Sequence, residues 1–232
     1  MIYLIGGEKG GSGKSCIAQN FAVALKRRDH DVLLVDADPQ LTTFTWVKER
    51  SKNDKLQHIP CVQLHNSGAD AESLEAVEDV RKTLQDLKQR YQTIVIDAGG
   101  QDSEALRAAM TVADRMIIPL RPKRRDLKTL LKMRKLVAMA TAVNPKLIAR
   151  SVLTQCPPSN KSINKQVVNK RVQGAKDICE SFEIPALNSF IVMRNAYDDS
   201  DEAGCAVFEG PDSVDEKAIE EIEEMTKEIL EI

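Results

Sequence analysis

At 232 residues with a formal net charge of −2, the chain is long enough for one α/β domain with a full core. Its overall charge excludes a polycation that coats nucleic acid along its whole surface. Apolar residues make up 42% and aromatics only 4%, so the core has to be built from aliphatic side chains. No run approaches the ~18 apolar residues of a membrane span.

The five cysteines (Cys16, Cys61, Cys156, Cys179, Cys205) contain no C-x-x-C pair and no zinc-type spacing with the three histidines. That pattern excludes a metallocluster carrier and suits reduced, buried thiols in a cytoplasm. The opening MIYLIGGEKGG is a short apolar run followed by glycines and charge, unlike a signal peptide.

In chain order, Ile2–Ile5 predicts a strand that runs into Gly6-Gly7-Glu8-Lys9-Gly10-Gly11-Ser12-Gly13-Lys14-Ser15-Cys16, and Ser15–Arg28 then carries helical periodicity. Glycines between strand and helix let backbone N–H groups turn inward around a phosphate, and the helix N-terminus adds partial positive charge. Lys14 is then placed for the β- and γ-phosphates and the Ser15 hydroxyl for Mg²⁺. The strict pattern G-x-x-x-x-G-K-[ST] asks for glycine where this chain has Glu8. The dinucleotide pattern G-x-G-x-x-G fails at Cys16. The expected ligand is MgATP, held along Lys9, Gly10, Gly11, Ser12, Gly13, Lys14, Ser15 and Cys16.

Val32–Val35 predicts a strand ending in Asp36-Ala37-Asp38-Pro39-Gln40, two carboxylates at the strand end where parallel sheets bind ligands. Cys61–Leu64 is the next strand and Ala71–Arg90 a helix. Thr93–Ile96 closes on Asp97-Ala98-Gly99-Gly100, a Walker B pattern with Asp97 bound to Mg²⁺ through a water. The remaining expectations are helix Ser103–Ala113, strand Met116–Pro119, helix Asp126–Val143, strand Ala149–Thr154, helix Ile163–Phe182 and strand Phe190–Val192. This alternation predicts an α/β fold: one P-loop NTPase domain over residues 1–232, a mostly parallel twisted sheet with helices on both faces. A last, acidic amphipathic helix is expected at about 213–231, with Ile219, Ile222, Met225, Ile229 and Leu230 on its apolar stripe.

Lys9-Gly10-Gly11-Ser12-Gly13-Lys14-Ser15 resembles the deviant Walker A motif of the ParA/MinD superfamily of ATPases, and Asp36–Gln40 is similar to its D-x-D-P-Q box. The family usually has D-x-P-P after the Walker B strand. D-A-G-G here is closer to the small plasmid-partition, ParF-like branch. The resemblance implies that Lys9 crosses the interface of an ATP-bound dimer, that Asp36 organises Mg²⁺ and its waters, and that Asp38 orients the attacking water. The implied catalytic set is Lys9, Lys14 and Asp38, and the metal set Ser15, Asp36 and Asp97. Met116–Leu120 looks like the family's strand before a dimer-interface helix. Phe190–Tyr197 resembles the segment near the adenine, which implies Met193, Arg194 and Asn195 as base contacts; Val207-Phe208-Glu209 and the acidic tail also match that branch.

By the same resemblance the protein is a DNA-segregation ATPase: an ATP-dependent homodimer that binds non-specific DNA and hydrolyses ATP slowly under a small centromere-binding (ParB/ParG-like) partner. It would be cytoplasmic and nucleoid-associated, without membrane contact. With a strand beginning at residue 2, no helix-turn-helix extension is expected, so the partner recognises the centromere. A MinD-like spatial regulator is one alternative, opposed by the acidic tail, because a membrane-surface helix wants cations. A metabolic P-loop ligase or kinase is the other, and it leaves Lys9 and the basic stretches idle.

Those stretches are Arg121–Lys135, with eight cations against Asp126, and the neighbourhood of Lys161–Lys176. Phosphate contacts need only such clusters. The candidate DNA residues are Lys128, Lys132, Arg134, Lys135, Lys165, Lys170 and Arg171, with a partner's acidic surface as the other use of the same charge.

Overall fold

Short β-branched runs, each followed by a loop and a returning helix, pair side by side in this chain because the helices cover both faces of the resulting sheet. The computed structural model describes residues 1–64, 74–100, 103–158, 170–210 and 215–232. Among them seven strands form one sheet: β1 (Ile2–Ile5), β2 (Val32–Ala37), β3 (Cys61–Gln63), β4 (Thr93–Ala98), β5 (Arg115–Leu120), β6 (Ile148–Cys156) and β7 (Ala186–Val192). Their order is β3-β2-β4-β1-β5-β6-β7 and every pairing is parallel.

Residues of β1, β2 and β4 are buried throughout, so these strands need apolar side chains on both faces. Successive residues alternate between two cores. Leu4, Leu33, Ile96 and Ile118 point to one, which α3 (Leu74–Arg90), α4 (Glu104–Met110), α6 (Leu130–Val143) and α7 (Lys170–Ser181) close with Leu84, Leu106, Met133 and Val172. Ile5, Leu34, Val95 and Ile117 point to the other, closed by α1 (Lys14–Lys26), α2 (Thr42–Arg50), α8 (Asn195–Asp201) and α9 (Glu216–Glu231). In that second core Tyr3 meets Phe21 edge-on at 5.0 Å, a favourable aromatic geometry. This is the P-loop α/β architecture expected from the alternation of elements.

Three differences from the sequence expectation have physical causes. The helix expected over Asp126–Val143 is broken into α5 (Arg124–Leu127) and α6. Asp126 is buried and fixed by a two-point contact with the Arg121 guanidinium, and the Thr129 hydroxyl donates to the Asp126 carbonyl at 2.7 Å, diverting it from the regular ladder. Two short helices, α2 and α8, were not anticipated because their stabilisation comes from outside their own sequence. The last helix starts at Glu216, where the Asp215 side chain accepts from the N–H groups of Lys217 and Ala218. Residues 71–73, 163–169 and 213–214 of the expected helices lie outside the described residues. Among the described residues no helix is long and apolar enough to cross a membrane.

Candidate functional site

Sheet order decides what meets at the site. β1 lies beside β4, and β4 beside β2, with Ile5 opposite Asp97 and Asp36 opposite Asp97 in register. The glycine-rich loop after β1 and the carboxylates ending β2 and β4 therefore converge at the C-terminal edge of the sheet. Gly10, Gly11, Gly13, Lys14 and Ser15 of the loop, Asp38, and Gly99 and Gly100 line a cleft of about 640 Å³, together with Cys16, Pro39, Gln40, Thr42 and Ser103, while Asp36 and Asp97 lie buried beneath it.

The loop is shaped by Gly11 (φ 66°) and Gly13 (φ 86°), in the left-handed region that side chains disfavour. Gly13 is also the N-cap of α1 and offers no side chain to its first turn, so the free N–H groups there face the cleft end. Lys14 is buried, and its Nζ donates to the Lys9 carbonyl at 3.1 Å. Burial lowers its pKa, while the Asp97 and Asp38 carboxylates pull it back up. An ammonium so withdrawn from water favours an anion in the cleft. Lys9 is half-buried at the loop's entry, with its carbonyl shared by Lys14 and the Ser12 hydroxyl.

Asp97 is fully buried and accepts from the Thr43 hydroxyl at 2.7 Å. Burial pushes its pKa up to about 7, against the opposing pull of the Thr43 and Ser15 hydroxyls. Its other oxygen, Oδ1, is buried with no hydrogen-bond partner among the described residues. An orphaned carboxylate oxygen near the Ser15 hydroxyl fits a hard divalent cation. The described residues contain no group of three carboxylate, His or Cys side chains that would cage a metal alone. That suits Mg²⁺, which takes few protein ligands and completes its shell with phosphate and water.

Asp36 is buried and spends its oxygens on backbone: Oδ1 accepts from Asp38 N–H at 3.0 Å and Oδ2 from Phe44 N–H at 2.8 Å. It thereby caps α2 from a neighbouring strand, which is why α2 forms without a cap of its own. The departure at Gly99-Gly100 is explained by contact. A Cβ on Gly99 would lie 3.3 Å from the Asp38 carboxyl, and one on Gly100 3.0 Å from Gly10 N. The two glycines let the second carboxylate and the phosphate loop close over the Walker B strand.

Not every expected residue joins this cleft. Met193 is 66% exposed, Arg194 is turned onto Glu221 (2.6 Å) and Asp215 (3.5 Å), and Asn195 opens α8; none of the three lines the cleft. The two-acid grip on Arg194 comes from α9 and could not be foreseen locally. Of the candidate DNA residues, Lys128, Lys135, Lys170 and Arg171 are exposed. Lys132 pairs with Glu8 at 2.7 Å and Arg134 with Glu183 at 2.9 Å, so the stretch is less open than its sequence charge suggests. Lys165 lies outside the described residues. α5 packs against α7, which places Lys170, Arg171 and Lys176, the described part of the second basic stretch, on the same side of the sheet as α5. Sequence reasoning missed Thr43, Thr42 and Ser103; the hydroxyl pair one residue beyond the D-x-D-P-Q box was the available signal.

A family model described as ATPase MipZ matches residues 1–153. A maintenance of carboxysome distribution protein A from Gloeobacter kilaueensis is 27% identical over 206 residues, covering 87% of this chain and 81% of the relative. A ParA protein from Rhizobium radiobacter is 25% identical over 167 residues, 69% of this chain and 67% of its own. Among solved structures, an ATP complex of an aspartate-to-alanine variant of McdA from Cyanothece superposes with a TM-score of 0.76 at 15% identity, covering 100% of this chain and 96% of that one.

Proposed function

The chain belongs to the MipZ family of ATPases, within the ParA/MinD superfamily, and we propose that it is the ATP-driven switch of a DNA-segregation system. In this reading ATP with Mg²⁺ occupies the cleft at the end of β1. The observation that carries it is the conjunction of buried Lys14, the uncapped start of α1 and the unpartnered Oδ1 of Asp97. Gly10–Cys16 cradle the phosphates, and Lys14 supplies the counter-charge at the β- and γ-phosphates. Ser15, Asp97 and, at longer range, Asp36 hold the metal. When bound, Mg²⁺ neutralises charge on the phosphate oxygens. Asp38, folded over Gly99, orients the attacking water, and Lys9 serves the nucleotide of a second copy across the dimer.

The dimer so formed binds duplex DNA through Lys128, Lys135, Lys170 and Arg171, and a small centromere-binding partner stimulates hydrolysis. The protein is cytoplasmic and nucleoid-associated. Likeness to the carboxysome distribution protein favours a second reading, with a protein assembly as cargo on the same ATP-dependent, DNA-bound switch.

MgATP should produce dimers in sedimentation where ADP does not, and Lys9→Ala should abolish either the dimers or turnover. Lys14→Ala should lose nucleotide binding, whereas Asp38→Ala should bind ATP and stop hydrolysing it. Normal turnover in Asp38→Ala removes that residue from the chemistry. The metal must displace a proton that Asp97 holds up to about pH 7. Apparent Mg²⁺ affinity should therefore fall up to about tenfold per pH unit below that. Without metal, the raised pKa stabilises the fold fully below about pH 4, and that contribution is lost as pH climbs through 7. An Mg²⁺ affinity that is flat between pH 6 and 8 contradicts the assignment of Asp97 as the metal's partner.

A further inference from the structure

The phosphate loop is held from behind by β6, a strand that belongs to none of the three nucleotide motifs. Thr154 is 2% exposed, and its hydroxyl donates to the Ser12 carbonyl at 2.7 Å. The next residue, Gln155, donates from its side-chain amide to the Gly11 carbonyl at 3.1 Å. A Cβ on Gly13 would lie 3.9 Å from the Thr154 Cβ, so the strand sits against the loop.

The local backbone departs from regular strand to make these two contacts. Gln155 has φ 47°, a left-handed conformation that costs a residue with a side chain free energy. The pairing of β6 with β7 shifts register between Leu153 and Cys156, the interval that holds both residues. Such irregularities re-aim side chains at the end of a strand.

A peptide unit is planar and trans, so its carbonyl oxygen and its N–H point in opposite directions. Fixing the Gly11 carbonyl toward β6 turns the Ser12 N–H away from it, and fixing the Ser12 carbonyl does the same for the Gly13 N–H. Free glycine-rich backbone samples many other orientations, and ordering it only when ligand arrives weakens binding. We propose that Thr154 and Gln155 are positioning residues for nucleotide phosphate, pre-aiming the Ser12 and Gly13 N–H groups through the peptide carbonyls they hold. This rests on the assignment of the cleft to ATP. A cradle that grips phosphate equally in ground and transition states changes KM and leaves kcat alone.

The test is steady-state ATP hydrolysis and equilibrium ATP binding on Thr154→Val, Thr154→Ser and Gln155→Leu beside the parent and Lys14→Ala. Thr154→Val keeps the shape and removes the donor; it should weaken ATP binding and raise KM roughly five- to tenfold at near-parent kcat, the scale of one lost hydrogen bond. Thr154→Ser should restore parental KM. Gln155→Leu, at a half-buried position, should raise KM roughly threefold, and it carries the test if Thr154→Val does not fold. Parental KM in Thr154→Val and Gln155→Leu overturns the proposal, as does a kcat loss at unchanged KM or a failure of Thr154→Ser to restore. If the parent binds ATP, Lys14→Ala does not, and Thr154→Val matches the parent, the brace alone falls. If the parent itself ignores ATP, the site assignment falls and takes the brace with it.

Discussion

Acidic helix α9 and the basic pair α5–α6 look alike on paper, since each belongs to an amphipathic run with a large excess of one sign. Their charges are spent differently. On α9, Glu221 accepts from the N–H of Val192 (3.0 Å), the Arg194 guanidinium (2.6 Å) and the Tyr197 hydroxyl (3.1 Å). Glu228 accepts from the N–H groups of Asn188 (2.6 Å) and Ser189 (2.9 Å), and Glu223 pairs with Arg28. β7 is the last strand of the sheet, and Glu221 and Glu228 satisfy three backbone donors it would otherwise present to solvent or to another chain. On α5–α6, by contrast, Lys128 and Lys135 are exposed and make no ion pair among the described residues, with Leu131, Met139 and Val143 uncovered nearby. The acidic run is part of the architecture, whereas the basic run leaves part of its charge exposed and unused by the described residues.

The contrast breaks most easily at Glu221. Glu221→Ala takes the nearer acid from the Arg194 guanidinium, which is only 21% exposed and keeps Asp215 at 3.5 Å, removes the stronger partner of a tyrosine hydroxyl, and leaves an edge-strand N–H without its acceptor. It should cost about 2–3 kcal/mol, a fall in Tm of roughly 5–10 °C. Parental Tm in that variant would falsify the architectural role of α9. Glu228→Ala removes the acceptor for two edge N–H groups nearer to water and should cost about 1 kcal/mol in denaturant unfolding. At the small end, Lys128→Ala and Lys135→Ala should each change stability by less than about 0.5 kcal/mol. Their effect belongs to ligand binding instead: the log–log salt slope for random duplex should flatten by about 0.9 for each phosphate contact removed. If those variants lose stability and keep the parental salt slope, both helices are architectural and the difference disappears.

How legible the site was follows from how local each signal is. Lys9–Ser15 could be recognised from residue order because the loop's requirements, small residues and one cation next to a helix start, are met within one segment. Asp36, Asp38 and Asp97 stood out as carboxylates at strand ends. Their surroundings were hidden, since Asp36 accepts from the first turn of α2 and Asp38 lies against Gly99. Thr154 and Gln155 gave no comparable signal: a threonine at a strand end is ordinary, and its partner lies far away in the chain. The surroundings of Arg194 were hidden for the mirror-image reason, since the acid it pairs with sits on another helix.

The sequence by itself determined the alternation of strands and helices, the two-faced burial of β1, β2 and β4, and the composition of the phosphate loop, because these depend on periodicity and steric freedom within a few residues. Tertiary structure alone decided which strand ends became neighbours, which charges were used up internally, and which hydroxyls and amides hold the loop. Those outcomes depend on strand order and register, and pairing energies between distant segments leave no mark in the local pattern of either one.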